Sequence, residues 1–401
     1  MEKVIKKKNP RKLDYFILYL FPLLSTYGFG YIGFNTMILK MLYFISIPLL
    51  FIYVFTTIKK SKDEISKYVK YAVSVYLISL MMAWLFHNQA ISLTYRATCG
   101  YFALLFYFFL KRANFCRKDI ILLTLVYGVI WIILWLIALY MAPTPVFGNS
   151  DITINDDRGI FRFFIPGDGF LYLLFFLCVE LGFIKKCKIF KFLSVTVFTV
   201  IVLQVTRQTI FFSFIVAFYF VFRHAKHILV YAILLYIGIN LISINVSDDS
   251  PLGKLMQLSE SQYLDQKSGD ENARVVEYRY FLTEMPNNLV TIVFGNGIPH
   301  DDSSYGKQFL WLKDVKDIYL SDVGYPAMFV TIGVLGLLIF FKLWRACVKV
   351  RGENDFPIMF LNYMFLCNFV SFVISVSIIP ICVALYLLQL DAKSTIEKKM
   401  N

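Results

Sequence analysis

The sequence predicts an all-α polytopic membrane protein of about twelve transmembrane helices, with a large extracytoplasmic loop between spans 9 and 10. Of its 401 residues, 58% are hydrophobic and only 17% are charged, whereas soluble domains carry about 25% charged residues. The apolar runs continue for about 17 residues or more, as membrane helices require, and do not alternate like the strands of a membrane barrel. This composition excludes a disordered chain, a secreted disulfide scaffold and an ordinary cytosolic enzyme.

Each apolar run that is long enough to cross a bilayer is interpreted as one span. The predicted spans lie roughly at 13–30, 37–58, 69–87, 93–110, 119–141, 167–184, 190–206, 208–222, 228–244, 323–341, 357–373 and 376–390.

Two apolar stretches are too long for a single span. Residues 192–222 would form a helix of about 46 Å, against a hydrocarbon core of about 30 Å. One helix would also bury Arg207 at mid-membrane, so we predict two short helices with Arg207 at the turn between them. The uncharged stretch 356–390 is likewise predicted to turn, near Ser375 and Ser377.

The basic residues orient these spans. With twelve spans both termini lie on one side, and 28 of the 40 Lys and Arg residues fall on that side. Cytoplasmic loops carry such an excess, so both termini are predicted to be cytoplasmic and the net charge of +13 requires no nucleic acid. The chain then divides into helices 1–9 (1–244), an extracytoplasmic cap loop (245–322), and helices 10–12 with a cytoplasmic tail (323–401).

Two outer segments, 142–166 and 245–322, are much longer than the other connections, and loops beyond about 15 residues are usually functional or disordered. Their aromatic residues favour a folded cap, which indicates an enzyme that works on the outer face, without ATP or nucleotide sugars. The spans themselves are nearly free of charge, which argues against a proton- or sodium-driven pump. The sequence predicts no cofactor and no metal site.

Arginines supply the candidate binding groups, because the guanidinium fork binds phosphate oxygens in a bidentate manner. Arg207 is predicted to clamp a lipid-linked phosphate; the alternative is an interfacial arginine bonded to membrane lipid or helix ends. Arg158 and Arg162 either join that site or form a local salt-bridge cluster with neighbouring aspartates. Arg274 and Arg279 lie on a predicted amphipathic helix that ends at Pro286 and point about 140° apart.

Two further residues are candidates for acid–base chemistry. His300 follows a Gly-Asn-Gly turn (Gly295–Gly297) that is predicted to expose backbone N–H groups, and it could act as a general base. Asp322 lies where the long loop re-enters the membrane, either as a catalytic group or as a helix-capping acid. For His300 the alternative is an ordinary exposed loop residue.

The order of these motifs resembles the Wzy family of O-antigen and exopolysaccharide polymerases, which is related to the O-antigen ligases. The resemblance rests on VTRQTIFFSF (Arg207), ARVVEYRYFL (Arg274, Arg279), IVFGNG and SDVGYPAMFV (Asp322). It implies a metal-independent glycosyltransferase of the bacterial cytoplasmic membrane. Such an enzyme transfers a polyprenyl-diphosphate-linked glycan to the next lipid-linked repeat unit, with basic outer residues holding the diphosphate and a chain-length regulator protein as a candidate partner.

Two alternatives remain. An O-antigen ligase would use the same chemistry with a catalytic histidine in its outer loop, for which His300 is available. A lipid-linked oligosaccharide flippase would be a transporter and would need only short loops. The long outer loop favours the enzymes.

Overall fold

The computed structural model describes residues 9–148, 163–204, 206–223, 272–286, 288–350 and 354–400, with side chains described as far as residue 392. Within these ranges the protein is helical, and extended backbone pairs only in one isolated antiparallel bridge between Tyr31 and Phe147.

The α-helices of these described ranges follow in chain order and are numbered here as they occur. The first nine are α1 (Lys12–Ser25), α2 (Thr36–Lys60), α3 (Glu64–His87), α4 (Ile91–Thr98), α5 (Leu105–Ala113), α6 (Arg117–Met141), α7 (Gly169–Val179), α8 (Lys188–Leu203) and α9 (Arg207–Phe222). The remaining six are α10 (Ala273–Arg279), α11 (Leu289–Phe294), α12 (Ser304–Lys316), α13 (Gly324–Val348), α14 (Phe356–Cys367) and α15 (Ile378–Met400).

Five of the described helical segments are long and apolar enough to cross a membrane. They are Thr36–Lys60, Glu64–His87, Ile91–Ala113, Arg117–Met141 and Gly324–Val348, and shorter apolar helices occupy Gly169–Ile184, Arg207–Phe222, Phe356–Cys367 and Ile378–Ala392. These helices are compatible with a multi-pass membrane protein. The predicted span 228–244, residues 149–162 of the first outer segment and residues 245–271 of the long loop lie outside the described residues.

The first predicted span is shorter than expected. Helix α1 ends at Ser25, because Tyr27 and Phe29 adopt left-handed backbone conformations with φ of 49° and 58°. A helix cannot continue through such residues. The predicted span 13–30 is therefore wrong at its C-terminal end.

Both predicted breaks in the long apolar stretches are confirmed. The chain leaves α8 at Leu203 and begins α9 at Arg207, and Phe198 packs against Phe214 with ring centroids 6.0 Å apart, as expected for a helical hairpin. In the second stretch, α14 ends at Cys367 and α15 begins at Ile378 after an irregular segment that includes Ser375 and Ser377.

The core is built around helix α7, whose residues Gly169–Val179 are all buried. A helix that is hydrophobic on every side is stable only when other elements surround it. In contrast, α2 and α6 leave large apolar side chains exposed, such as Ile52 and Leu136. Lipid tails can cover such surfaces, because apolar side chains need no water.

One end of the helix assembly is held together by ion pairs, and we call it the basic end. Its defining pairs are Lys111–Asp63, Arg117–Asp391 and Arg223–Asp355. All of these residues belong to segments that the charge distribution assigns to the cytoplasm, or to the adjoining helix ends. The pairs join helices that are distant in sequence, so the termini of the spans are fastened to one another at this end.

Candidate active site

A partly open cavity of about 670 Å³ lies at the end of the assembly opposite the basic end. Helices α9 and α15 run between the two ends. Gln208 of α9 and Ile378 of α15 line the cavity. At the basic end, Arg223, just after α9, pairs with Asp355, and Asp391 of α15 pairs with Arg117. Its lining includes the polar residues Ser25, Thr26, Asp168, Gln204, Thr206, Gln208, Thr209, Ser321, Ser371 and Ser375, and the aromatic residues Tyr27, Tyr43, Trp131, Phe163, Phe164, Phe170, Tyr172 and Phe372.

Asp168 is the one carboxylate in the described lining of this cavity. It immediately precedes α7, and its backbone carbonyl accepts hydrogen bonds from Leu171 and Tyr172 at 2.8 and 3.2 Å. Asp168 makes no ion pair among the described residues. Because no described cation pairs with it and it lines the cavity, Asp168 is a candidate to contact a substrate.

Two glycines bring Asp168 to the cavity. A Cβ on Gly167, whose φ is +93°, would lie 2.9 Å from Thr26 Cγ2, and one on Gly169 would lie 2.7 Å from Ser377 Oγ. The chain on either side of Asp168 therefore touches Thr26, which follows α1, and Ser377, which precedes α15. Sequence reasoning missed Asp168, although an isolated acid between two glycines at the start of a charge-free helix is a usable signal.

The N-terminus of α9 forms one edge of the cavity. Thr206 and Gln208 line the cavity, and Arg207, the first residue of α9, lies between them half-buried. Backbone N–H groups at a helix N-terminus carry partial positive charge, so Arg207 and the start of α9 both favour an anion at this edge.

The cap helix α10 adds a second arginine to the same edge. Arg274 Nη2 donates a hydrogen bond to Gln208 Oε1 at 3.3 Å, while Arg279 lies exposed at the other end of α10. The helix continues as one wider turn to Glu284 and stops before Pro286, as the sequence predicts. The structure thus brings Arg274 to Gln208, the residue after Arg207, and leaves Arg279 at the far end of α10.

Asp322 lies beside the cavity in a short turn, Leu320–Asp322, just before α13. Its Oδ1 accepts a hydrogen bond at 3.0 Å from Ser321, which lines the cavity, and the Asp322 side chain is exposed. The N-cap residue of α13 is Val323, and the first turn of the helix holds no acid, so the capping alternative for Asp322 is wrong.

A buried carboxyl group on α10 lies close to Asp322. Glu277 is 2% exposed, and its Oε1 accepts the backbone N–H of Tyr319 at 2.9 Å. Burial, and to a smaller extent the negative charge of Asp322, raises the pKa of Glu277 to about 7, although the Tyr319 N–H group and Arg274 oppose the shift. This contact fastens the cap helix to the loop that carries Asp322.

His300 belongs to a different cluster. Its backbone N–H donates to Gln89 Oε1 at 3.0 Å, and its Nδ1 accepts the backbone N–H of Asp302 at 3.2 Å. In turn, Asp302 Oδ2 lies 3.7 Å from Arg96 Nη1. Asp168 belongs to the described lining of the cavity, whereas His300 and its partners Gln89 and Asp302 do not.

The Gly-Asn-Gly turn is buried, so the prediction that it exposes backbone N–H groups is wrong. Gly295 and Gly297 have φ of +82° and +83°, which confirms the tight turn. However, the N–H groups of Gly295 and Asn296 donate to the carbonyls of Thr291 and Val330 at 2.8 and 2.6 Å. The turn is inserted between α3 and α13 and acts as a packing element.

Arg158 and Arg162 lie outside the described residues. Within the described part of the chain, no three His, Cys, Asp or Glu side chains come together as metal ligands would. No family model matches the sequence, and no curated protein matches it either.

Proposed function

We propose that the protein is a Wzy-type polysaccharide polymerase of the bacterial cytoplasmic membrane. It would transfer a polyprenyl-diphosphate-linked glycan onto the next lipid-linked repeat unit, on the outer face and without a metal. The observation that carries this proposal is the cavity opposite the basic end, which is lined by one carboxylate, Asp168, and by Gln208, which follows Arg207 in the chain and accepts a hydrogen bond from Arg274.

The arginine edge suits the diphosphate. Arg207 and Arg274 would neutralise the negative charge that grows as polyprenyl diphosphate leaves, which is the role that a divalent cation plays in other glycosyltransferases. The hydroxyl, amide and aromatic groups of the cavity offer hydrogen bonds and flat surfaces to sugars. The lipid tail would remain in the bilayer beside the helices.

The reaction then requires one proton acceptor. The acceptor hydroxyl oxygen attacks the anomeric carbon, the bond from that carbon to the diphosphate oxygen breaks, and the diphosphate departs with the electron pair. Asp168 would take the hydroxyl proton, a role worth about 100- to 10,000-fold in rate. Asp322 borders the same cavity and would position the incoming repeat unit through Ser321.

The surroundings of His300 favour a polymerase over a ligase. Because Nδ1 accepts the Asp302 N–H group, the neutral imidazole carries its proton on Nε2. No lone pair is then left to receive a proton from an acceptor hydroxyl. A ligase that used His300 as its base would have to break this hydrogen bond first.

The ion pairs at the basic end favour an enzyme over a flippase. A flippase needs a path that opens to both faces of the membrane. Here Lys111–Asp63 and Arg117–Asp391 join the helices at the end away from the cavity, and Tyr107 donates to Gln389 at 2.7 Å nearby. These contacts would have to separate in every transport cycle.

The test is Asp168→Asn, which keeps the shape of the side chain and removes its basicity. Membranes that contain the variant should form long-chain glycan about 100- to 10,000-fold more slowly, with EDTA present throughout and protein level normalised. Asp302→Asn makes the same charge change in the His300 cluster and should leave chain length unchanged. Wild-type chain length in well-expressed Asp168→Asn would refute the assignment.

A deletion strain separates the polymerase from the transporter. Loss of a polymerase leaves single lipid-linked repeat units on the outer face, accessible to enzymes added outside. Loss of a flippase leaves them on the inner face, and that result would refute the proposed function.

A further inference from the structure

A second pocket, of about 240 Å³, lies at the basic end between the start of α1 and the ends of α2 and α5. Three cationic side chains line it, Arg11, Lys60 and Arg112, together with one acid, Asp14. The pocket therefore carries an excess of two positive charges. It lies at the opposite end of the helices from the cavity with Asp168, so the proposed reaction does not use it.

The guanidinium of Arg112 is held in place before any ligand binds. Its Nη1 donates to Thr56 Oγ1 at 3.0 Å, and its central carbon lies 4.2 Å from the centre of the Tyr53 ring. A cation above an aromatic face is attracted to it and loses little freedom when it later binds an anion. The guanidinium carries five N–H donors, so the hydrogen bonds to Thr56 and Tyr53 do not use all of them.

The acid in the pocket is occupied by other contacts. Asp14 is 4% exposed; its Oδ1 accepts the Tyr53 hydroxyl at 2.7 Å and its Oδ2 accepts the Arg11 backbone N–H at 2.8 Å. Asp14 thus orients Tyr53 beneath Arg112. Because its carboxylate is turned into the protein, it opposes an incoming anion less than an exposed acid would.

The two helices α1 and α2, whose ends form part of the pocket, also carry exposed apolar side chains. Leu13 and Phe16 of α1 are 57% and 61% exposed, and Ile52 of α2 is 71% exposed. These side chains continue along the same helices away from the cationic groups. A molecule with a phosphate at one end and hydrocarbon chains at the other would match both parts of this surface.

We propose that this pocket binds a phosphate oxyanion, either the headgroup of an anionic phospholipid or free phosphate. Arg112 would supply the directed hydrogen bonds, and Arg11 and Lys60 the additional charge. Lipid at this site would tie α1, α2 and α5 together at the membrane surface. The proposal does not depend on the polymerase reaction.

The test measures lipid binding to the full-length protein in detergent by native mass spectrometry. Wild type should bind phosphatidylglycerol more tightly than phosphatidylcholine. Each basic side chain near an anionic headgroup is worth about fivefold in affinity, so Arg112→Gln and Lys60→Gln should each weaken phosphatidylglycerol binding about fivefold. Lys118→Gln removes an exposed charge from the first turn of α6, at the same end, and should have no effect.

A second arm titrates the same proteins with inorganic phosphate. If wild type prefers phosphatidylglycerol and the two variants lose that preference, the proposal is supported with lipid as the source of the phosphate group. If wild type shows no lipid preference but binds inorganic phosphate, and the two variants lose that binding, the proposal is supported with free phosphate as the source. Lys60→Gln removes only an exposed charge, so it keeps the test valid if Arg112→Gln misfolds. Variants that bind both ligands as Lys118→Gln does would overturn the proposal.

Discussion

The buried Gly-Asn-Gly turn offers the sharpest test of the fold, through the substitution Gly297→Ala. Gly297 has a φ of +83°, and a Cβ at this position would lie 2.5 Å from both the Ser79 carbonyl oxygen and Ala83 Cβ. These atoms belong to α3 and cannot rotate away as the end of a flexible side chain would. Either α3 or the turn must move to admit the methyl group.

Two costs combine in this variant. A residue with a Cβ in the left-handed region costs about 1–2 kcal/mol. Overpacking a filled site costs about 1–3 kcal/mol more. We therefore expect Gly297→Ala to lower the free energy of unfolding by about 2–5 kcal/mol.

The assay uses the protein's own cysteines, of which five are buried. A thiol-reactive dye reports their exposure as the detergent-solubilised protein is heated, and Gly297→Ala should react at lower temperature than wild type. The matched control is Gly100→Ala, since a Cβ there would meet no atom within 4 Å. This control should unfold like wild type or slightly later, because alanine favours helix more than glycine does.

Activity per folded molecule distinguishes the packing role from a binding role. If the turn only packs, the Gly297→Ala molecules that remain folded should polymerise at the wild-type rate. Unfolding at the same temperature as Gly100→Ala, together with a loss of specific activity, would refute the reasoning and restore the turn as a ligand site.

Three further predictions concern the arginine edge, the cap and the topology. Arg207→Ala should lose about 100- to 1000-fold in polymerisation rate, or about 2.7–4 kcal/mol. Arg207→Lys should also be impaired, because lysine lacks the bidentate fork of arginine. Wild-type chain length in well-expressed Arg207→Ala would contradict this prediction. Glu277 should make stability depend on pH, because burial raises its pKa to about 7 from 4.5. The folded protein therefore binds the proton more tightly than the unfolded chain and loses stability as pH rises through this interval. Melting curves of Glu277→Gln, measured at different pH values, should show no such loss. Reporter fusions should place Ala113 in the cytoplasm and Asn155 outside, and the same location for both would refute the span order.

The cap shows how far local sequence information reaches. The helix over 273–284 and its end before Pro286 follow from the apolar pattern and the proline. Its docking does not: Glu277 is buried against the Tyr319 backbone, and Arg274 reaches Gln208 on a helix 66 residues earlier in the chain. A charged side chain in a sequence does not reveal which distant group will compensate its charge.

The sequence by itself determined the helical class, because the long apolar runs do not alternate as barrel strands would, and such runs satisfy their backbone in a bilayer as helices. It also determined the break at Arg207, since an uninterrupted helix would exceed the membrane and bury a charge. Only the tertiary structure decided which polar groups share a cavity. Asp168 joins the edge of α9, while His300 is held by Gln89 and Asp302 in another cluster. The same contacts buried Gly297 against α3, because the conformational freedom of glycine serves a tight helix contact as readily as an exposed turn. Helix propensity depends on neighbouring residues, so it can be read from a short stretch of sequence. A site is assembled by contacts between segments that are hundreds of residues apart, so no single stretch of sequence predicts which groups will meet.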